Sequence, residues 1–148
     1  MDVRLVKRRI QDSATEASRA VGADSVPMAA AMIAVELNSQ NKGHIEKKFP
    51  LSANDPKNKK IITQAMSKFF ATIGFGESYA PSENLVSALT AIAYGAGKNE
   101  SIAEYAKIRS TTVKNALTRL VKDSQLSDRN ALFTVWANCI ADAQTSKD

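Results

Sequence analysis

Apolar residues recur at three- and four-residue steps along nearly the whole chain, and this spacing limits the fold more than any other feature. The first segment with this pattern contains Val3, Val6, Ile10, Ala14, Ala17 and Val21. Such steps place side chains on one face of an α-helix, whereas a half-buried strand requires strict alternation of apolar and polar residues. No convincing alternation occurs, so we predict an all-α helical bundle.

The same spacing predicts the positions of the helices. They are expected at about residues 3–20, 27–39, 56–73, 83–94, 100–107, 110–123 and 128–143. Ser82, Asn99, Ser110 and Ser127 are predicted N-caps, because each can accept a hydrogen bond from an unpaired backbone N–H. "GFGESYAPS" (74–82) contains two glycines and a proline, which favour a loop. We therefore predict a helical oligomerisation or partner-binding module at 1–78 and a second domain at 79–148.

Composition excludes several classes of protein. Hydrophobic residues make up 44% and charged residues 24% of the 148, as in ordinary globular domains. The longest apolar run, 27–37, is interrupted by Glu36 and is shorter than the ~18 residues of a membrane span. The basic N-terminus has no apolar stretch behind it, so no secretory signal is predicted. One cysteine, Cys139, excludes an internal disulfide and fits a reducing compartment. We predict a cytoplasmic, nucleoid-associated protein without a membrane partner.

The residues that catalysis or metal binding would require are scarce. His44 is the only histidine and lies far in sequence from Cys139, so the common zinc sites find no support. The segment "GAGKNES" (95–101) follows no strand and lacks the Gly-Lys-Ser/Thr triplet of a phosphate loop. No Ser/His/Asp set or dinucleotide-binding turn occurs. We predict a protein that is not an enzyme and that has no cofactor and no metal.

The segment "SIAEYAKIRSTTVKNALTRLVKDSQL" (101–126) combines a short helix, a tight turn and a second helix, which is the pattern of a helix-turn-helix. In the second helix, the apolar face consists of Val113, Leu117, Leu120 and Val121. The opposite face consists of Thr111, Lys114, Asn115, Thr118 and Lys122. This face carries hydroxyl, amide and ammonium groups and no acid, and such groups suit phosphates and base edges.

A second interpretation of the same residues is that Lys114, Arg119 and Lys122 form an ordinary solvated surface, as most exposed helical lysines do. Each residue taken alone favours that interpretation. The net charge of +5 is only a mild indication of a phosphate-rich partner. The turn, the hydroxyl cluster and the acid-free face occur together, and this combination favours DNA binding as much as an ordinary solvated surface.

The two central helices also resemble a known family. "IAEYAKIRSTTVKNALTRLVKD" followed by "SDRNALFTVWANCI" is similar to the DNA-binding domain of LuxR/GerE-type bacterial transcription regulators, over about residues 100–140. An "IAE" helix, a "TVK" recognition helix and an "S-x-R" step occur in the same order. The resemblance implies a four-helix domain whose third helix enters the major groove and whose fourth often forms a dimer contact. Lys107 stands where the family usually has a turn glycine, and Ala116 replaces a frequent histidine.

Carried over by position, the resemblance implies that Lys114, Asn115 and Thr118 face bases and that Thr111 and Thr112 reach phosphates. The residues themselves add further candidates. The hydroxyl and basic side chains at the start and on the outer face of the helix predict phosphate contacts by Ser110, Arg109, Arg119 and Lys122. A helix N-terminus is electropositive and donates backbone N–H groups, which favours phosphate at the "RSTT" opening.

Two features leave alternatives open. The last helix has an apolar stripe that is either core or a homodimer interface, formed by Leu132, Val135, Trp136, Cys139, Ile140 and Ala143. A homodimer would suit the function, because two-fold symmetry lets two recognition helices read half-sites about 34 Å apart. The basic segments contain Arg4, Lys7, Arg8 and Arg9 near the N-terminus and "KNKK" at 57–60. Three interpretations of these segments remain open. They are ordinary solvated surface, auxiliary contacts to phosphate, or a surface that binds an acidic partner such as RNA polymerase or another regulator.

The leading hypothesis is a small bacterial, plasmid or phage transcription regulator that reads double-stranded DNA through the helix at 110–123. One alternative is a non-enzymatic helical adaptor that binds the transcription machinery through the same outer face. Another is a coating protein that binds nucleic acid without sequence preference. The modest charge argues mildly against the coating protein.

Overall fold

The computed structural model describes residues 23–41, 49–52, 54–76 and 78–144. These residues form six helices and no strand, so the all-α prediction is confirmed for the described part of the chain. The helices are α1 (Val26–Asn41), α2 (Asn58–Thr72), α3 (Glu83–Ala93), α4 (Asn99–Ala106), α5 (Ser110–Asp123) and α6 (Arg129–Ala143). Among the described residues, no helix qualifies as a membrane span. The helix predicted at 3–20 lies outside the described residues.

One predicted N-cap is confirmed. The Ser82 side chain accepts a hydrogen bond from the backbone N–H of Leu85 over 3.2 Å and so caps α3. At α6 the prediction of Ser127 is wrong by one residue, because the cap is Asp128 and its carboxylate accepts from Ala131 N–H over 2.8 Å. A carboxylate at this position also interacts favourably with the positive end of the helix dipole.

The caps predicted for α4 and α5 are also wrong by one residue. The N-cap of α4 is Lys98, whose backbone N–H donates to the Ser101 hydroxyl over 3.1 Å. Asn99 becomes the first helical residue, and its side-chain oxygen accepts from Arg129 instead. The N-cap of α5 is Arg109, and Ser110 is the first helical residue. A tertiary partner for Asn99 therefore competes with the local capping interaction.

The last helix, α6, lies at the centre of the molecule. It packs most extensively against α1 and α2, and it also contacts α3 and α5. The Trp136 ring meets Phe69 of α2 edge-on, with 5.2 Å between ring centroids. Its indole N–H donates to the carbonyl oxygen of Leu89 in α3 over 2.9 Å. One side chain therefore joins three helices of the core.

The described helices on both sides of residue 78 share this core, since one cluster of buried side chains draws members from all six. Polar contacts reinforce the connection. Asp24, just before α1, accepts from the backbone N–H of Gly97 over 3.1 Å and from the Ser101 hydroxyl over 2.7 Å. A Cβ atom added at Gly97 would clash with the side chains of Asp24 and Ser25. Glycine is required there because the start of α1 approaches the α3–α4 turn so closely.

Candidate nucleic-acid interface

The turn between α4 and α5 is made without a glycine. Lys107 adopts the left-handed conformation, with φ 58° and ψ 42°, and it is the only non-glycine residue with positive φ in the described ranges. The backbone N–H of Ile108 donates to the carbonyl of Ala103 over 3.1 Å, and the half-buried Ile108 side chain packs against the core. A left-handed residue followed by a hydrophobic contact is a standard helix C-terminus. The turn fixes the direction in which α5 leaves α4.

One face of α5 is anchored in the core. Val113, Leu117 and Leu120 are buried, with relative exposures of 0%, 1% and 3%. They belong to the shared core cluster, and α5 packs chiefly against α4 and α3. This packing determines which residues of α5 face outward.

The outward face of α5 carries four exposed side chains that we call the polar ridge: Thr111, Lys114, Asn115 and Thr118. None of the four has a side-chain hydrogen bond or ion pair to another residue in the part of the chain that the structure describes. The threonines of α2 and α3 differ, since Thr63, Thr72 and Thr90 each donate to the carbonyl four residues earlier. Donors and acceptors of the polar ridge are therefore available to an external partner.

The N-terminus of α5 also lacks a side-chain partner. Arg109 occupies the N-cap position in an extended conformation, and no side chain caps the first turn. Ser110 and Thr111 are exposed, and Thr112 is half-buried. The first backbone N–H groups of a helix have no partner inside the helix and carry partial positive charge. This end of α5 can accept an anion.

The basic side chains predicted to reach phosphates are all exposed. Arg119 forms an ion pair with Asp123 one turn later, at 3.6 Å, but its side chain remains 85% exposed. Such an exposed pair contributes little and is readily exchanged for another anion. Lys107 is also exposed beside this surface, and the sequence interpretation assigned it only to the turn. The auxiliary candidates Arg4, Lys7, Arg8 and Arg9 lie outside the described residues.

Arg129 links the starts of α4 and α6. Its guanidinium donates to the side-chain oxygen of Asn99 and lies 5.7 Å from the centre of the Phe133 ring. Burial lowers the pKa of Arg129, and the nearby carboxylate of Glu100 acts in the opposite direction. Sequence reasoning missed this role, although the "S-x-R" step of the resemblance marks the residue. The half-buried Arg129 therefore connects the start of α4 to the start of α6.

The apolar stripe on α6 lies mostly inside the protomer. The sequence alone left open whether this stripe is core or a dimer interface. Leu132, Trp136 and Ile140 are each 0% exposed, whereas Val135 is half-buried. The three buried side chains cannot contact a second copy without unfolding of the helix packing around them.

Within the described ranges, no group of three or more His, Cys, Asp or Glu residues could hold a metal ion. His44 lies outside those ranges. Cys139 is buried, and that burial raises the pKa of its thiol to about 11. The thiol is thus protonated and unreactive near neutral pH.

Comparison of the chain with protein-family models, with curated proteins and with solved structures finds no match.

Proposed function

We propose that the protein is a small DNA-binding transcription regulator that reads duplex DNA by placing α5 in the major groove. The observation that carries the proposal is the exposed polar ridge on a helix whose opposite face is buried. Asn and Lys side chains can donate to base edges, and Thr can contact either a base or a phosphate. An α-helix fits the width of the major groove, so the ridge could be presented to the bases.

The surroundings of the ridge support contacts to the DNA backbone. Arg109 and Ser110 flank the uncapped start of α5, while Arg119 and Lys122 follow the ridge towards its other end. Phosphate contacts of this kind set the position of the helix and make the affinity depend on salt. The resemblance to LuxR/GerE-type regulators assigns the same helix to base reading.

We further propose that the protein acts as a homodimer, because two-fold symmetry would place two copies of α5 on half-sites about 34 Å apart. The dimer contact would have to use surfaces other than Leu132, Trp136 and Ile140, which are covered within one protomer. The segments 4–9 and 57–60 would supply auxiliary phosphate contacts or meet an acidic partner such as RNA polymerase.

Selection of bound sequences from a random duplex library, at two salt concentrations, tests the proposal. A regulator should enrich a defined motif at both concentrations, and a homodimer should enrich a palindrome. Enrichment of no motif, with steep loss of binding in salt, would instead identify a coating protein. Failure to bind any duplex at low salt would contradict the proposal and favour an adaptor whose outer face meets protein.

A further inference from the structure

The helix α1 has an apolar face that does not belong to the shared core. One face packs on α6 and buries Met28, Ala31 and Val35 in the core cluster. Positions three and four residues apart on the opposite side are also apolar, and none of them is packed against that cluster: Val26, Ala30, Ile33, Ala34 and Leu37. The Leu37 side chain is 55% exposed. An apolar stripe of this length on a helix normally faces another element.

A second stripe with the same spacing occurs in the segment predicted as helix at about 3–20, which lies outside the described residues. Counted backwards, its apolar positions follow steps of four, three and four residues: Val21, Ala17, Ala14 and Ile10. The helix α1 takes the same steps forwards: Val26, Ala30, Ile33 and Leu37. In an antiparallel pair of helices these positions meet in successive apolar layers, with Ala17 opposite Ala30 and Ile10 opposite Leu37.

The connection between the two stripes suits a helical hairpin. Only residues 22–25 separate Val21 from Val26, and two antiparallel helices are commonly joined by a loop of about 2–5 residues. A helix over 3–21 would be about 28 Å long, and α1, with 16 residues, is about 24 Å long. Such a short tether gives an effective concentration on the order of millimolar, so this segment is favoured over a second copy of the chain at micromolar protein.

The charges at the far end of the hairpin are complementary. Glu36 is exposed and forms no ion pair in the described part of the chain, and the last turn of α1 contains no basic residue. The C-terminal end of a helix carries partial negative charge, which favours nearby cations. In the antiparallel arrangement, Arg4, Lys7 and Arg8 come to this end of α1.

We propose that residues 3–21 dock as an antiparallel helix on the outward apolar face of α1. The alanines at 17 and 30 let the two helices approach closely, and Ile10 covers the exposed Leu37. The basic residues near the N-terminus are thereby held at the C-terminal end of α1. The proposal does not depend on the proposed function, because it concerns a contact within one chain and can be tested without DNA.

Pairs of cysteines in the full chain test the contact and its register. Ala17→Cys with Ala30→Cys, and Ile10→Cys with Leu37→Cys, are the pairs in register. Ala17→Cys with Leu37→Cys is the control out of register, displaced by about 10 Å along the helix axis, which is beyond the reach of a disulfide. We expect an intramolecular disulfide to form at least about tenfold faster in the pairs in register. Cys139 is buried, so the unmodified chain should stay reduced under the same mild oxidation.

Hydrogen exchange provides a measurement without cysteines. A docked helix protects its backbone amides, and Leu37→Lys places a charge in the contact without removing a buried side chain. We expect this variant to keep its core and to exchange the amides of residues 3–21 at least about tenfold faster. Ala71→Lys, at an exposed position on α2, is the control and should leave those rates unchanged.

Three results would overturn the proposal. Disulfides that form equally fast in and out of register would show that no fixed contact exists. A disulfide-linked dimer as the main product would assign the face of α1 to a second copy of the chain. Amides of residues 3–21 that exchange as fast as those of an unfolded peptide would show that the segment does not dock.

Discussion

The indole nitrogen of Trp136 in α6 lies 2.9 Å from the carbonyl oxygen of Leu89 in α3, and both side chains are 0% exposed. A buried indole N–H without a partner would cost about 1–3 kcal/mol, so this carbonyl allows a large amphipathic ring to sit in the core. The same ring contacts Phe69 of α2. The hydrogen bond fixes how α6 lies relative to α3, and the ring contact fixes how it lies relative to α2.

Replacement of this ring should be costly even when aromaticity is kept. Trp136→Phe removes the hydrogen bond and part of the packing, and we expect a loss of roughly 1–3 kcal/mol in the free energy of unfolding. Urea denaturation followed by circular dichroism measures it. Tyr105→Phe, at an exposed ring, is the control and should change the stability by less than about 0.5 kcal/mol. Equal stability of the two variants would contradict the central role of the indole.

The left-handed turn residue predicts a stabilising substitution. Lys107→Gly relieves the cost of a side chain at positive φ and should raise the free energy of unfolding by about 1 kcal/mol. Lys107→Val should lower it, because a β-branched residue tolerates this conformation least. Denaturant titration gives both values. Lys114→Gly, in the middle of α5, is the opposite control and should cost about 1 kcal/mol through helix propensity. A loss of stability in Lys107→Gly would show that residue 107 does not adopt a positive φ in solution.

The polar ridge predicts a specific loss of DNA recognition. Lys114→Ala should weaken binding to the selected site by roughly 1–3 kcal/mol while nonspecific duplex binding changes much less. Fluorescence anisotropy with specific and scrambled duplexes measures both. Lys60→Ala removes the same charge from an exposed position on α2 and should leave the ratio of the two affinities unchanged. An unchanged affinity of Lys114→Ala for the selected site would remove α5 as the reading helix.

A residue assigned to phosphate should behave differently from one that reads bases. Lys122→Ala should weaken all duplex sequences to a similar extent and reduce the slope of log K against log salt by about 0.9, the value for one lost phosphate contact. Affinity measured at several salt concentrations gives the slope. An unaltered slope would place Lys122 on an ordinary solvated surface.

The buried thiol predicts slow chemical modification. Because burial raises the pKa of Cys139 to about 11, its thiolate fraction at pH 8 is about 100-fold below that of a group with pKa 9. The alkylation rate with iodoacetamide should therefore be at least about 100-fold lower in the native protein than in urea. As the pH rises towards 11 the thiolate fraction increases, so the native rate should increase over that range. Rapid native alkylation at pH 8 would mean that the thiol is accessible.

Much of the helical pattern was predictable because it depends on local spacing. The bounds of α5 are those predicted from its apolar positions, and the bounds of α3, α4 and α6 differ by one residue. The predictions of Asn99 and Ser127 as N-caps were wrong for physical reasons. Asn99 engages Arg129, 30 residues away, and Asp128 is the stronger acceptor beside Ser127. Only the contact between Asn99 and Arg129 lies beyond local propensity, since Asp128 stands next to Ser127 in the sequence.

The polar ridge and the group of three tyrosines differ in how far the sequence could predict them. Exposure of Lys114, Asn115 and Thr118 follows from the period of one helix, so sequence alone placed them together. A cavity of about 920 Å³ that Tyr79, Tyr94 and Tyr105 help to line could not be predicted, because these residues belong to three different segments that only the tertiary packing brings together.

The central position of α6 has a practical consequence for anyone who would isolate the C-terminal half. A fragment that starts at residue 79 would keep α6 but lose α1 and α2, with which α6 makes most of its contacts to other helices. The buried Trp136 ring, which contacts Phe69 of α2, would then face water on that side. Such a truncated polypeptide would be prone to self-association. In a binding assay, its aggregation would resemble cooperative binding.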